Sequence, residues 1–320
     1  MNCPKILVTG ATGFVGEAVV FRLLLDKQFT PVAAVRASTR LSGLCQIVSF
    51  DLEDPMRVPS LEGVDVVVHC AARVHVMNET AEDSLVAYRV ANVDGTLRLA
   101  RRAVKAGVSR FIFISSIKVN GERTDPDRPF KFTDVPAPAD PYGVSKLEAE
   151  NALQKLSQET GMDVVIIRPP LVYGPGVKAN FLNMIRWINR GIPLPLGKVK
   201  NRRSFVALGN LVDLVVTCIT KPAAAGQIFL VSDGEDISTT QLLRRMAFAL
   251  GKAVILLPIP VVMLKVAASV LRKAAVFERL CDSLQVDIRH TQEVLGWMPP
   301  LSTEQALRQT ADYYQDRQAT

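Results

Sequence analysis

The chain is 320 residues long, 48% hydrophobic and 22% charged. That balance lets it bury a sizeable core and excludes a disordered chain, a coiled coil and a collagen-like fibre. Lys and Arg outnumber Asp and Glu by 38 to 31, a formal net charge of +7. The basic residues are scattered, so the excess suits a site for phosphorylated small molecules rather than nucleic acid, which would need a basic stripe with interleaved aromatics.

The five cysteines form no C-x-x-C, which argues against a disulfide framework or zinc cluster and for a reducing compartment. Three histidines, His69, His75 and His290, do not make a His-rich metal site, and no metal is expected. The first residues run straight into an apolar strand without the marks of a secretory leader, so a cytoplasmic location is expected.

In chain order, short Val-, Ile- and Phe-rich runs at 5–8, 31–35, 46–50, 64–69, 110–115 and 164–168 predict strands buried on both faces. Helical patterns lie between them, most clearly at 14–27, 85–106 and 142–160. Such alternation predicts an α/β fold with a doubly wound parallel sheet and right-handed crossovers. Five prolines in 169–202 predict loops and short helices there rather than further sheet. The expected division is a nucleotide-binding domain over 1–168 and a mainly substrate-binding domain over 169–320, with the chain crossing back to the first sheet. Residues 253–271 are almost entirely apolar, but Pro258, Pro260 and Lys265 interrupt them and Arg272 and Lys273 follow. They predict a buried strand or loop followed by an amphipathic helix, not stable membrane insertion, since a span needs about 20 uninterrupted apolar residues.

The first strand leads into Thr9-Gly10-Ala11-Thr12-Gly13-Phe14-Val15-Gly16, and a helix follows. Residues without Cβ let the chain bend sharply and approach a pyrophosphate, and the helix N-terminus offers free N–H groups to the anion. The G-x-x-G-x-x-G spacing and this segment resemble the extended branch of the short-chain dehydrogenase/reductase superfamily, the NAD-dependent epimerase/dehydratase type. The resemblance covers nearly the whole chain. It implies a Rossmann sheet with a smaller interleaved C-terminal α/β domain, and a cofactor held by Gly10, Thr12, Gly13, Phe14, Val15 and Gly16. The second strand ends at Val35-Arg36, twenty residues after Gly16. An acidic residue there would hold the ribose hydroxyls of NAD, whereas an arginine can take the 2′-phosphate of NADP. Arg36 therefore points to NADP(H), with Arg40 in support; a solvated surface arginine and NAD(H) remain the alternatives. The resemblance also places Asp51 and Leu52 by the adenine and Ala71 and Ala72 where backbone approaches the cofactor. It further assigns cofactor contacts to Ser115 and Pro169. His69 reads as a packed residue.

Tyr142 and Lys146 lie four apart at the start of a helical pattern, hence on one face. A nearby cation favours phenolate, and a tyrosine tuned this way can move a proton to or from a sugar oxygen. The surrounding Asp140-Pro141-Tyr142-Gly143-Val144-Ser145-Lys146 resembles the extended family's active-site helix, in which the lysine also holds the nicotinamide ribose. Phe113–Gly121 resembles the segment that supplies the third catalytic group, and counting back from Val119-Asn120-Gly121 selects Ser116, with Ser115 structural. Asn92 matches a supporting asparagine. Two departures stand out. Ile117-Lys118 replaces the Asp-Glu pair of the sugar 4,6-dehydratases, which disfavours water elimination, and Asn120 replaces the usual tyrosine.

On the substrate side, Leu171–Gly176 resembles the hinge into the substrate domain, and Asn180, Arg203, Arg279 and Asp282 match positions that bind a nucleotide diphosphate sugar. A surface ion pair is the alternative for the last two. Lys198, Lys200 and Arg202 add to the basic cluster around Arg203. The implied substrate is a nucleotide-sugar, UDP-linked. The preferred reading is NADPH-dependent reduction of a C4 ketone. The overall resemblance is to bacterial surface-polysaccharide (O-antigen) enzymes that convert UDP-4-keto-6-deoxy-N-acetylglucosamine to UDP-N-acetylquinovosamine. The alternatives are an NAD-dependent 4-epimerase, other extended reductases such as the sterol or flavonoid type, and a non-catalytic NADP(H)-binding protein. Family members often pair through the two helices before and at the catalytic residues, which implies a homodimer through 85–106 and 142–160.

Overall fold

Strand and helix alternate along the first half: β1 (Lys5–Thr9), α1 (Phe14–Asp26), β2 (Thr30–Val35), β3 (Gln46–Ser49), β4 (Val66–His69), α2 (Ala81–Tyr88), α3 (Thr96–Lys105), β5 (Arg110–Ile114), α4 (Pro141–Thr160) and β6 (Asp163–Arg168). The computed structural model describes residues 3–37, 39–74 and 81–319, and His75 lies outside them. A later strand, β9 (Ile228–Leu230), returns to complete a seven-stranded sheet in the order β3-β2-β1-β4-β5-β6-β9. Every pairing in it is parallel. Strand order reverses between β1 and β4, the switch point at which open α/β sheets bind ligands beyond the strands' carboxyl ends.

Side-chain alternation explains why the strands read as unbroken apolar runs. In β1, Ile6 and Val8 enter one core with Val19, Val20 and Leu23 of α1, while Leu7 enters the opposite core with Leu99 of α3 and Leu153 of α4. Both faces are covered, so no polar alternation survives.

The pattern at 85–106 is not one regular helix. α2 and α3 are joined by a π-helical segment, Arg89–Gly95. The wider turn carries Asn92, whose side chain is buried and spoken for by groups outside the helix. Such π insertions often occur at functional sites.

Residues 169–202 depart from expectation. Leu171–Tyr173 forms β7, an edge of a second sheet of order β10-β8-β7, with β8 (Arg203–Ala207) and β10 (Asp236–Ile237). The prolines flank this strand instead of entering it. Around this sheet pack α5 (Ala179–Asn189), α7 (Thr239–Ala249) and α11 (Thr303–Ala319), sharing a core built on Tyr173, Phe181, Phe205, Leu243 and Leu307. α6 (Leu208–Thr220) instead backs the first sheet beside α1.

Residues 253–271 also depart. They contain α8 (Val261–Val270), which has no buried residue, followed by α9 (Ala274–Cys281). The apolar run packs on the domain along one side and faces outward along the other. α10 (Arg289–Leu295) precedes α11.

Candidate active site

β1 delivers Gly10 into a left-handed conformation (φ 63), and the amide of Gly13 donates to the carbonyl of Gly10 at 2.8 Å. A Cβ on Gly10 would stand 2.8 Å from the backbone nitrogen of Ala71, and one on Gly16 would run into the Gly10 carbonyl. The turn is thus a cradle that side chains would fill, opening at the N-terminus of α1. A cleft of about 380 Å³ lies above it, lined by Gly10, Thr12, Gly13, Arg36, Asp51, Leu52, Ala71 and Ala72. Phe14, Val15 and Gly16 form the first turn of α1 behind that lining. These features fit a dinucleotide: close backbone for a pyrophosphate, a helix start for its charge, and Asp51 and Arg36 at the far end.

Arg36 is exposed on the rim. Arg40 is otherwise engaged, because its guanidinium grips Glu17 with two bonds of 2.7 and 2.6 Å. A bidentate carboxylate competes directly with a phosphate for that fork.

Below the cleft, His69 is fully buried. Its Nδ1 lies 2.7 Å from Thr9 Oγ1 and its Nε2 3.0 Å from Thr96 Oγ1, and its ring stacks on Phe113. Thr9 Oγ1 in turn accepts from the Ala71 amide at 3.2 Å, so the ring supports the backbone that faces Gly10. Burial holds the imidazole down at about 3, against an ordinary 6.5. The unfolded chain therefore takes up a proton that the folded chain refuses. The histidine's contribution to stability should be complete above pH 6.5 and fall as pH drops from there toward 3, by about 1.4 kcal/mol per unit once the unfolded histidine is protonated. Urea unfolding at pH 7 and pH 5 should show this loss, and His69→Gln should show a smaller one.

α4 starts cleanly. Asp140 is its N-cap, accepting from the Gly143 amide at 2.7 Å, and Pro141 holds the first helical position. The helix then presents Tyr142, Lys146 and Glu150 at four-residue spacing. Lys146 is only 1% exposed; its Nζ donates to the carbonyl of Ile114 at 2.7 Å and lies 3.9 Å from the centre of the Phe113 ring. Burial lowers it to about 7. Tyr142 is half-buried, edge-on to Tyr88 with ring centres 6.0 Å apart. Burial first, then the charge of Asp140, pushes its phenol above the ordinary value. The expected lowering by Lys146 does not arise in this arrangement, and burial favours the neutral phenol.

β5 delivers Ser115 and Ser116 beside this helix face. Ser115 Oγ donates to Glu150 Oε1, and its amide donates to Ile167 at 2.7 Å. Ser116 Oγ accepts from the Lys118 amide at 3.2 Å. The Pro169 carbonyl accepts from the Ile117 amide at 3.0 Å, tying the start of the substrate half to this loop. Asn92 accepts from the Arg73 amide (2.8 Å) and donates to the Arg73 carbonyl (3.1 Å) and Ser145 Oγ (3.0 Å), clamping the cleft wall to α4.

Sequence reasoning overlooked the layer beneath. Arg168, 3% exposed, grips Glu150, 1% exposed, through Nε at 3.0 Å and through Nη2, and donates from Nη1 to Asn120 Oδ1 at 2.9 Å. Asn120 donates onward to the Lys131 carbonyl at 3.1 Å. The residue that replaces the usual tyrosine is therefore part of a buried ionic network. Lys118, in place of a dehydratase carboxylate, pairs with Asp140 and with Glu122, the latter at 2.8 Å. The Glu150 signal was present in the sequence: it repeats the Tyr142-to-Lys146 spacing once more.

The substrate-side residues partly converge. Asn180, Arg203 and Arg279 line one pocket of about 180 Å³, whose other walls include Leu171, Phe181 and Trp187. Burial lowers the Arg203 guanidinium from its ordinary value, while its Nη1 donates to the Asp282 carbonyl at 2.9 Å. Asp282 thus contributes backbone, and its side chain does not line the pocket. Arg202 turns away to Asp127.

Comparison with known proteins agrees with this geometry. The family model described as the NAD dependent epimerase/dehydratase family matches residues 6–232. A UDP-glucose 4-epimerase of Vibrio cholerae is 48% identical over 315 residues, covering 97% of this chain and 96% of that one. Among solved structures, the UDP-glucose 4-epimerase of Thermotoga maritima with UDP-glucose superposes with TM-score 0.77 at 24% identity, over 98% of this chain and 99% of the other. MoeE5 in complex with UDP-glucose and NAD also gives 0.77 at 24% identity, over 99% and 100%. With its doubly wound parallel sheet, glycine cradle and Tyr142–Lys146 helix, the chain belongs to the NAD dependent epimerase/dehydratase family, the extended short-chain dehydrogenase/reductases that modify nucleotide-sugars.

Proposed function

We propose that this enzyme interconverts the C4 epimers of a UDP-sugar. The observation that carries the reading is its 48% identity, across 97% of its length, to a UDP-glucose 4-epimerase. A nicotinamide dinucleotide held over Gly10, Thr12 and Gly13 would supply reversible hydride acceptance from C4. Residues 1–168 hold it, and residues 169–320 mainly hold the sugar nucleotide. Tyr142, once deprotonated against the burial that favours its neutral phenol, takes the proton of the C4 hydroxyl and later returns it, Ser116 hydrogen-bonds the same oxygen, and Lys146 holds the nicotinamide ribose. Asn180, Arg203 and Arg279 hold the diphosphate. The C4 carbon loses hydride and its hydroxyl loses a proton, giving a ketone; both return, the hydride on the opposite face.

A second reading, reduction of a UDP-4-keto sugar by NADPH, is favoured by two observations. Arg36 stands where an NAD enzyme carries a carboxylate, and a phenol held protonated is suited to donate to a forming alkoxide. The test is to denature the purified protein, identify any released nucleotide, and assay UDP-glucose with and without added cofactor. Epimerisation predicts about one NAD per chain, weak NADPH binding, and UDP-galactose formed with no net NADH. An empty protein that prefers NADPH to NADH and consumes one NADPH per UDP-4-keto sugar would overturn it in favour of the reductase.

A further inference from the structure

α8 is apolar apart from Lys265 and Ser269, yet none of its residues is buried. Val261 and Leu264 lean on the substrate-half core. On the other side Val262, Val266 and Val270, one turn apart, are 73%, 60% and 77% exposed, with Met263 and Leu271 alongside at 59% and 64%. This is a continuous outward stripe, not isolated surface hydrophobes, and such patches mark contact surfaces. The cations Lys265, Arg272 and Lys273 are exposed beside it, and Glu278 is the one acidic residue in 253–281.

We infer that α8 and the turn after it form a docking face for an anionic phospholipid bilayer. The aliphatic stripe would enter the acyl boundary, and Lys265, Arg272 and Lys273 would meet lipid phosphates. Charge complementarity selects this occupant. In a symmetric contact with a second copy, the same cations would face one another. Ten residues make a helix about 15 Å long, half the thickness of a bilayer core, so α8 lies on the surface and does not cross it. Among the described residues no helix is long and apolar enough to cross a membrane. Docking would also orient the enzyme, because α9 follows directly and its Val276, Arg279 and Leu280 line the pocket assigned to the sugar nucleotide. The face is independent of which sugar is turned over, so it is read without an activity assay.

The test is co-sedimentation of the full chain with vesicles of phosphatidylglycerol and phosphatidylcholine, against phosphatidylcholine alone. The protein should partition onto the anionic vesicles about tenfold or more above the neutral ones, and less as salt rises. Two double variants divide the contributions: Val262→Gln with Val266→Gln removes apolar contact without adding charge, and Arg272→Glu with Lys273→Glu reverses the cations. Each should lose most of the binding while keeping the wild-type circular dichroism and melting temperature. No binding to anionic vesicles would overturn the proposal, as would binding that the Gln variant retains, which would reflect only the net charge of +7. A dimer in sedimentation velocity that the Gln variant abolishes would likewise overturn it, assigning the face to a second copy.

Discussion

Tyr142→Phe should lower turnover of a UDP-sugar by about 10²–10⁴-fold, the range for removing a positioned general acid–base, while nucleotide and UDP-sugar binding stay near wild type. The ring remains edge-on to Tyr88, so the fold of α4 is not disturbed and only the hydroxyl is lost. Lys146 still donates to the Ile114 carbonyl and Asp140 still caps the helix, since neither bond involves the phenol. Steady-state kinetics with equilibrium binding provides the check: the loss should fall on kcat and leave KM nearly unchanged, the signature of an interaction made only in the transition state. Turnover within tenfold of wild type would remove the phenol from the proton path.

Arg168→Ala should be the most destabilising single change in the site, costing about 3–5 kcal/mol, because it strands a buried carboxylate. Glu150 is 1% exposed and accepts from both Arg168 and Ser115, with no route to water. Glu150→Gln keeps the shape but strands the guanidinium, and should cost a similar amount. Replacing both with apolar residues, Glu150→Leu with Arg168→Met, should recover much of the loss, since a buried pair often only breaks even against well-packed hydrophobes. Chemical denaturation of the three variants separates these cases. The double variant should nevertheless stay impaired in turnover. Glu150 is the main group opposing the burial of Lys146, so removing it drives that ammonium further below its position of about 7. A double variant as active as wild type would show the pair to be scaffolding only.

Which parts of this molecule are legible in a single sequence follows from the range of the interactions concerned. The glycine turn, the capped start of α4 and the Tyr142–Lys146 spacing are local. Each depends on backbone geometry within a few residues, and each stands in the structure where residue type and period place it. Most strands of the first sheet are nearly as local, because burial on both faces makes a continuous apolar run; the edge strand β3 departs from that expectation, with Gln46 and Ser49 exposed because no further strand covers it. The π segment at Arg89–Gly95 is different. It carries Asn92, which is held by Arg73 and Ser145, residues 19 and 53 positions away that helical periodicity does not register.

The same division runs through the site and the surface. Residue identity alone specified a dinucleotide cradle, a Tyr–Lys pair and a second half rich in anion-binding side chains. Spatial convergence determined which of the candidates lie together. Arg40 is taken by Glu17, Asp282 offers backbone while Arg203 and Arg279 face the pocket, and Asn120 joins Arg168 and Glu150 beneath Ser115. Hydropathy likewise marked 253–271 as apolar but not where its outer side points. Burial is a property of what packs against a helix. One face of α8 finds the domain core, and the other finds no partner within the described chain. Composition and spacing act along the chain and so fix the chemistry on offer; pairing and exposure depend on residues far apart in sequence, and only folding brings those together.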